Sequence, residues 1–222
     1  MNTRRQFIQN ALGCLTAIGV FFNPVFSCVK TVYAKAKRIL VPRGTDMKSL
    51  IGEDPADLDT RDLEIIPLKN FETMGDTEYE VNLEQWRLEI TGKVKKPFKL
   101  SYSQILEMPA IERKILMICS GVFANQGLWK GVSIWDLLEM AGIREGVTHV
   151  TLRGASRYSE KVDRFELEYV RSNKVFLAYQ VNGKVLPEEH GFPLRAVAED
   201  RYGSTWTKYV YAVEVDIITN NK

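Results

Sequence analysis

The 222-residue chain has little cysteine: three in all, of which Cys14 and Cys28 fall within the first 28 residues. Nor does it carry a strong charge of one sign, its formal balance being +2, and aromatic and basic residues nowhere interleave. Those two lacks argue against a nucleic-acid surface. No apolar run has the length of a confident membrane span, because "NALGCLTAIGVFFNPVFS" is interrupted by Asn23 and Pro24. A C-x-x-C-H haem site, a cysteine cluster of iron–sulfur type and a Gly-rich fingerprint behind a strand are all missing, as are internal repeats. What remains, 45% hydrophobic and 26% charged, is enough for one sizeable core.

The chain opens on a targeting pattern. Arg4 and Arg5 are adjacent, with Phe7 and Ile8 behind them and an apolar stretch beyond, as in twin-arginine signals. This segment is expected to cover residues 1–34, with "VYA" at Val32–Ala34 as a small-residue cleavage site. Export to the periplasm follows, with an uncleaved membrane anchor as the alternative. Once the segment is subtracted, Cys119 is the one cysteine left and has no disulfide partner in an oxidising compartment. It is either a buried inert thiol or one held by something other than sulfur.

Residues 35–80 read as an irregular, charged wrap, with "GEDPADLDTRD" an exposed loop. Beyond it, short strands alternate with short helices. "WRLEI" (Trp86–Ile90) alternates as a half-buried strand, and Ser101 with Gln104 forms a capping box opening a helix that Pro109 ends. "KILMI" (Lys114–Ile118) is apolar enough to be buried on both faces. Ser133 caps a second helix with Leu137, Leu138 and Met140 inward and Gly142 at its end. "VTHVTLRG", "VFLAYQ" and "TKYVYAVEVDI" read as strands, and Asn182-Gly183 marks a hairpin. The class is α+β with a mixed sheet, in a single domain. Four polar, glycine-punctuated segments look like pieces of one site: 69–73, 119–131, 188–195 and 200–208. Arg195, Arg201 and Lys208 in the last two suit a phosphate.

In order, these motifs resemble the molybdopterin-binding domain of the sulfite oxidase family, which includes the catalytic subunit of periplasmic methionine sulfoxide reductase. The match runs from about Asn70 to Val215: Cys119 with Trp129, Gly131 and Val132 ten residues on, then "SIWDLLEMAG", "LAYQVNGKVLPEEHGFPLR" and "RYGSTWTKY". The resemblance implies a sulfite oxidase-type fold, with residues 81–218 as the molybdopterin-binding domain, and a cofactor of molybdenum with a mononuclear pyranopterin dithiolene. It implies Cys119 as the thiolate on molybdenum, a soft donor for this metal, and Tyr179 near the metal-bound oxygen. Asn70, Phe71, Glu72 and Thr73 would form an early pterin-contacting segment, and Gly154 with Ala155 a cofactor-contacting strand end. His190 and Arg195 would meet pterin and phosphate. Ser204, Trp206, Thr207 and Lys208 would form the loop holding the pterin.

The chemistry so implied is transfer of an oxygen atom to or from a small-molecule substrate. With no second redox motif in the chain, a separate redox partner, a cytochrome or a membrane haem or quinone protein, is expected to carry the electrons. The chain ends at "VEVDIITNNK", short of the further domain through which sulfite oxidases dimerise, so a monomer is expected. Sulfite-oxidising members place an arginine soon after the metal cysteine, yet Cys119 to Trp129 holds no charge. A neutral or zwitterionic sulfoxide therefore stands beside sulfite as substrate, with Arg153, Arg157 or Arg164 as candidate replacements for the missing cation. Two other readings remain open: a thiol hydrolase using Cys119 and His190, and a non-catalytic exported binding module.

Overall fold

The computed structural model describes residues 38–157 and 159–217, so the twin-arginine pattern lies outside the described residues. The fold is α+β, as expected. One five-stranded sheet runs in the order β4 (Phe98–Leu100), β3 (Leu88–Gly92), β12 (Val210–Asp216), β7 (His149–Gly154), β8 (Lys161–Glu166), with β3 and β12 parallel and the other pairs antiparallel. The second sheet is antiparallel, in the order β10 (Lys184–Val185), β9 (Val175–Val181), β6 (Phe123–Ser133), β5 (Ala110–Cys119), and β11 (Arg195–Ala198) also pairs with β9. The main core draws from both sheets, with Leu88, Ile90, Val150 and Val213 from the first and Trp129, Val132, Phe176 and Leu177 from the second. Among the described residues no helix is long and apolar enough to cross a membrane.

Local signals translate directly. Helix α1 (Tyr102–Leu106) carries both halves of the Ser101–Gln104 capping box, which satisfies two otherwise orphaned backbone donors. Its last helical residue precedes Pro109 by three positions. Helix α2 (Ile134–Ala141) is capped by Ser133, whose hydroxyl accepts from the Asp136 backbone N–H, and ends at Gly142 with φ +69°. It buries Ile134, Leu137, Leu138 and Ala141, an i, i+3, i+4, i+7 stripe, and this periodicity turns Met140 outward to 56% exposure, against expectation. A third short helix, α3, spans Leu167–Arg171. The hairpin at Asn182 and Gly183 forms as expected, both residues taking positive φ.

Three expectations change. The strand placed over Trp86–Ile90 runs instead over Leu88–Gly92, because the Trp86 backbone N–H turns back to the Asn82 carbonyl. The segment after Cys119, given above only as a polar, glycine-punctuated piece of the site, is the eleven-residue β6. Its buried Asn125 is tolerated because the wrap brings backbone to it: Asn125 Nδ2 donates to the Glu72 carbonyl (2.7 Å), and Asn125 Oδ1 accepts from the Glu72 N–H (3.2 Å), whereas Gln126 has only a 3.5 Å contact from Nε2 to the Thr60 carbonyl and a buried Oε1 without a partner. The wrap itself has order. Short β1 (Ile39–Leu40) and β2 (Leu58–Asp59) pair in parallel, and Asp46 and Asp54 cap 3-10 turns. Val41, Leu50, Leu58 and Leu63 then bury against Leu116, Ile118 and Ala124, forming a second small core on one face of β5 and β6.

Candidate active site

The alternation along β5 sends Leu116 and Ile118 to the second core and Ile115 and Met117 to the main one. Cys119 ends the strand. A tight turn follows, in which the Val122 N–H donates to the Cys119 carbonyl (2.9 Å), Gly121 takes φ +73°, and its N–H donates to the Ile51 carbonyl (2.8 Å). The half-buried thiol lines a cavity of about 600 Å³. Its walls come from the strap Thr73–Asp76, the β5–β6 hairpin tip, Ala155 and Ser156 after β7, and the loop 203–209 before β12. Met74 Sδ lies 4.0 Å from Cys119 Sγ. Burial alone pushes the thiol above its ordinary pKa; no cation lowers it.

Two cations dominate the other wall. Arg195 is 3% exposed between the rings of Trp129 and Trp206, with its guanidinium carbon 5.5 and 5.8 Å from their centroids. Its Nη1 donates to the His190 carbonyl (3.0 Å) and Nη2 to the Trp206 carbonyl (3.3 Å). Its Nε is buried without an acceptor, and no carboxylate pairs with it among the described residues. Burial brings its pKa down to about 10. Lys208 Nζ reaches Thr73 Oγ1 (2.7 Å) and the carbonyls of Met74 (3.0 Å), Asp76 (3.0 Å) and Glu189 (2.7 Å), fastening the strap across the cavity. Burial, then Arg195, lower it to about 8. At its far end the strap is latched by the Asp76 carboxylate, which accepts from the Ser156 hydroxyl and the Arg157 N–H.

Of the residues singled out by sequence, Thr73, Cys119, Ala155, Arg195, Ser204, Trp206, Thr207 and Lys208 come together in this cavity. Asn70, Phe71, Glu72, Gly154 and His190 do not line it; all but Asn70 pack or bond against residues that build it. Phe71 packs against Trp129 and His190, Glu72 is the residue Asn125 clamps, and Asn70 stays exposed in a 3-10 turn. Gly154 permits close approach: a Cβ there would lie 2.2 Å from the Lys208 carbonyl oxygen. His190 is 1% exposed with both ring nitrogens lacking hydrogen-bond partners; Glu189 Oε1 lies 3.5 Å from Nε2 without hydrogen-bond geometry. Burial, then Arg195 and Lys208, hold it neutral with a pKa of about 4.

The structure does not bring Tyr179 to the cavity. It is the extra residue of a β-bulge, opposite the step from Lys130 to Gly131, and its electrostatic neighbours are Tyr102 and Glu112. Glu112 is seven residues from Cys119 along β5, about 23 Å. The candidate anion-binding arginines are committed elsewhere: Arg153 to Glu214 (2.8 Å) and Glu160 (2.6 Å), Arg157 to Glu78 (3.1 Å); Arg164 does not line the cavity. Sequence reasoning missed Met74, Asp76, Met117 and Tyr209 in the lining. The period-two pattern puts Met117 on the Cys119 face; no local signal marks the others.

A molybdopterin fits these residues. Among the described residues no cluster of three or more His, Cys, Asp or Glu could hold a metal, so a metal on Cys119 has to bring its other donors with it, as a dithiolene does. The buried Arg195, short of an acceptor and of a counter-charge, suits an anionic group such as the pterin phosphate. A Cys119–His190 hydrolase is not supported: the thiol is raised rather than activated, and His190 does not line the cavity.

The comparisons with known proteins agree. Residues 74–220 match the family model described as oxidoreductase molybdopterin binding domain. The oxidoreductase YuiH of Bacillus subtilis is 30% identical over 141 residues, which cover 63% of this chain and 70% of that protein. The protein-methionine-sulfoxide reductase catalytic subunit MsrP of Gluconobacter oxydans is 30% identical over 59% of this chain and 46% of its own. NADH nitrate reductase 1 of Arabidopsis thaliana is 28% identical over 61% of this chain and only 18% of its own. The sulfane dehydrogenase SoxCD of Paracoccus pantotrophus shares the fold, with a TM-score of 0.59 and 24% identity over 65% of this chain and 41% of that one.

Proposed function

This chain belongs to the oxidoreductase molybdopterin-binding domain family, and from that premise we propose that it moves an oxygen atom on a neutral sulfoxide-type substrate after export by the twin-arginine route. Bound molybdenum with its pterin supplies a centre that changes by two electrons as an oxygen atom is gained or lost. In the reducing direction a sulfoxide takes two electrons and two protons and leaves as a sulfide and water. The electrons come one at a time from a separate redox protein.

The residues divide the work. Cys119 would supply the protein's donor to the metal, as its thiolate. Arg195, Lys208, Ser204 and Thr207 hold the anionic pterin and its phosphate, and Trp129 and Trp206 keep water from the Arg195 guanidinium. Beside Cys119 the cavity is lined by Met74, 4.0 Å away between sulfurs, by Phe123 opposite it in the β5–β6 ladder, and by its chain neighbours Met117 and Ser120; Asp76 and Glu160 are the acidic residues of the lining. The observation that carries the neutral substrate is the placing of charge. Of the cations lining the cavity, Arg195 and Lys208 are taken by the pterin and its phosphate in this reading, and Lys161 is paired with Asp163 at 3.0 Å. Sulfite or nitrate would enter with no cation left to receive it.

The test is dye-linked turnover by the molybdenum-loaded protein, comparing neutral sulfoxides, N-oxides, sulfite and nitrate. Sulfoxides are expected to give the highest kcat/KM. Preference for sulfite or nitrate, or activity surviving Cys119→Ala without molybdenum, would overturn the reading.

A further inference from the structure

The strap is held differently from the rest of the wrap. Phe71 lies in the main core and Trp86 packs against it, but no residue from 72 to 85 belongs to either core. Residues 73–81 make no backbone–backbone hydrogen bond among the described residues. Met74 is 55% exposed, and a Cβ on Gly75 would meet nothing within 4 Å. The fastenings come instead from the groups that build the cavity. Asn125 clamps Glu72 at the root, Lys208 and Tyr209 both donate to the Asp76 carbonyl (3.0 Å each), and the Ser156 hydroxyl and Arg157 N–H hold the Asp76 carboxylate. Just beyond, Arg157 pairs with Glu78 (3.1 Å), and the Tyr79 ring lies 5.0 Å from that of Tyr209. A segment tied down by polar bonds and left out of the core opens at far lower cost than a core strand.

Lys208 is the centre of this fastening, and it is oversubscribed. Its ammonium has only three N–H bonds, yet four oxygens stand around Nζ: Thr73 Oγ1 and the Glu189 carbonyl at 2.7 Å, the Met74 and Asp76 carbonyls at 3.0 Å. Three of the four belong to the strap. Thr73 also donates to the Glu189 carbonyl (3.1 Å), so its hydroxyl ties the strap to two points at once. In this arrangement Lys208 has no N–H left over for a ligand, although its side chain lines the cavity and the Arg195 charge repels it. An anion that reached both cations would relieve that repulsion. It can bond to the Lys208 ammonium only by taking it from the strap.

We propose that the strap Thr73–Asp76 is a lid with Lys208 as its catch, and that an anionic ligand of the cavity opens it by taking the Lys208 ammonium. The identity of that anion, the pterin phosphate, rests on the reading above; the catch does not. The closed strap and the anion-bound lysine are competing states of one side chain. By linkage, an anion that loosens the strap is bound more tightly, by the same factor, when the strap is loosened first. A neutral molecule makes no such exchange and leaves the lid shut. The cavity therefore opens to a neutral substrate only once an anionic cofactor has drawn the catch.

The experiment follows digestion of the cofactor-free protein by a protease that cuts ahead of aspartate. Cleavage of the Gly75–Asp76 bond reports the strap, and cleavage of Glu53–Asp54, in the wrap, is the internal reference. When opening is fast, the cleavage rate tracks the open population. Inorganic phosphate, compared with chloride at equal ionic strength, is expected to speed strap cleavage at least about threefold and leave the reference unchanged. Thr73→Val removes the bond from Lys208 and the bond to Glu189, so in chloride its strap should be cut about tenfold faster than wild type. It should also respond at lower phosphate, with an unchanged urea midpoint because neither core is touched. Lys208→Met should be cut equally fast in both salts. Strap cleavage slowed by phosphate, a phosphate response that survives Lys208→Met, or a Thr73→Val strap cut no faster than wild type would overturn the proposal. Uptake of molybdopterin, read by the pterin's fluorescence, separates the two readings. A strap that phosphate opens, with no pterin uptake by wild type or Thr73→Val, removes the cofactor from this cavity and keeps the lid; uptake at equal rates beside phosphate-indifferent cleavage does the reverse.

Discussion

Replacing Arg195 by Met should make the cofactor-free protein slightly more stable and the loaded protein much worse at keeping its cofactor. The guanidinium is buried without a carboxylate partner, and burial brings its pKa to about 10. At about 1.4 kcal/mol per pH unit this is a cost of about 3 kcal/mol to the charged folded form. The sign follows from linkage: below pH 10 the group is protonated both folded and unfolded, so the full cost is present at neutral pH. Met fills the slot between Trp129 and Trp206 without charge, leaving the His190 and Trp206 carbonyls short of a donor at about 1 kcal/mol each. The balance is a gain of about 1 kcal/mol, or roughly 2–4 °C in Tm for a domain of this size. In the loaded protein, each lost charge-assisted hydrogen bond to the pterin phosphate costs about 1.5–3 kcal/mol, so retention should fall roughly 10- to 100-fold. Differential scanning calorimetry of loaded and cofactor-free protein, with molybdenum and pterin content after dialysis, measures both effects. A variant that loses several degrees cofactor-free yet keeps its full molybdenum would refute the assignment of Arg195 to an anionic ligand.

Cys119→Ser, at a half-buried strand end, should change stability by less than about 1 kcal/mol while molybdenum content and turnover both collapse, as metal analysis beside a dye-linked assay would show. His190→Phe should remove an acid sensitivity. With a folded pKa of about 4 and an unfolded value near 6.5, the wild type loses stability as pH falls between those limits, by up to about 3 kcal/mol in all. Urea midpoints at pH 7 and pH 4.5 for both proteins check this, and equal acid losses would contradict it. Gly154→Ala places a methyl 2.2 Å from the Lys208 carbonyl oxygen and 2.4 Å from Thr207 Cγ2. A cost of about 1–3 kcal/mol and faster loss of pterin are expected, the latter read by fluorescence of the released cofactor.

Signals that act within four residues were readable in the sequence: the capping box at Ser101, the Ser133 cap, the Asn182-Gly183 turn. Cys119 was readable for another reason, as the single thiol left at the end of an apolar run once the targeting pattern was set aside. β6 was not, because Asn125 and Gln126 look like loop residues until the wrap's backbone arrives to bond Asn125. The closure of the cavity was hidden for the same reason on a larger scale. Lys208 meets the Asp76 carbonyl across 132 positions, and Tyr209 donates to that same oxygen at 3.0 Å. Tyr179 falls away from the cavity lining because a bulge, set by the pairing of β9 with β6, decides its place. Met140 was assigned inward on hydrophobicity alone, where the helical period puts it outside.

The raised pKa of Cys119 bears on how the enzyme is made. Thiols oxidise and alkylate through their thiolate form, and before loading this sulfur keeps its proton at neutral pH, with the Met74 sulfur beside it. On the proposal that Cys119 is the metal's protein ligand, a newly folded chain can therefore wait for its cofactor without spoiling that sulfur. When the metal arrives the proton has to leave, so insertion should be favoured by rising pH and should acidify a weakly buffered solution by one proton per site.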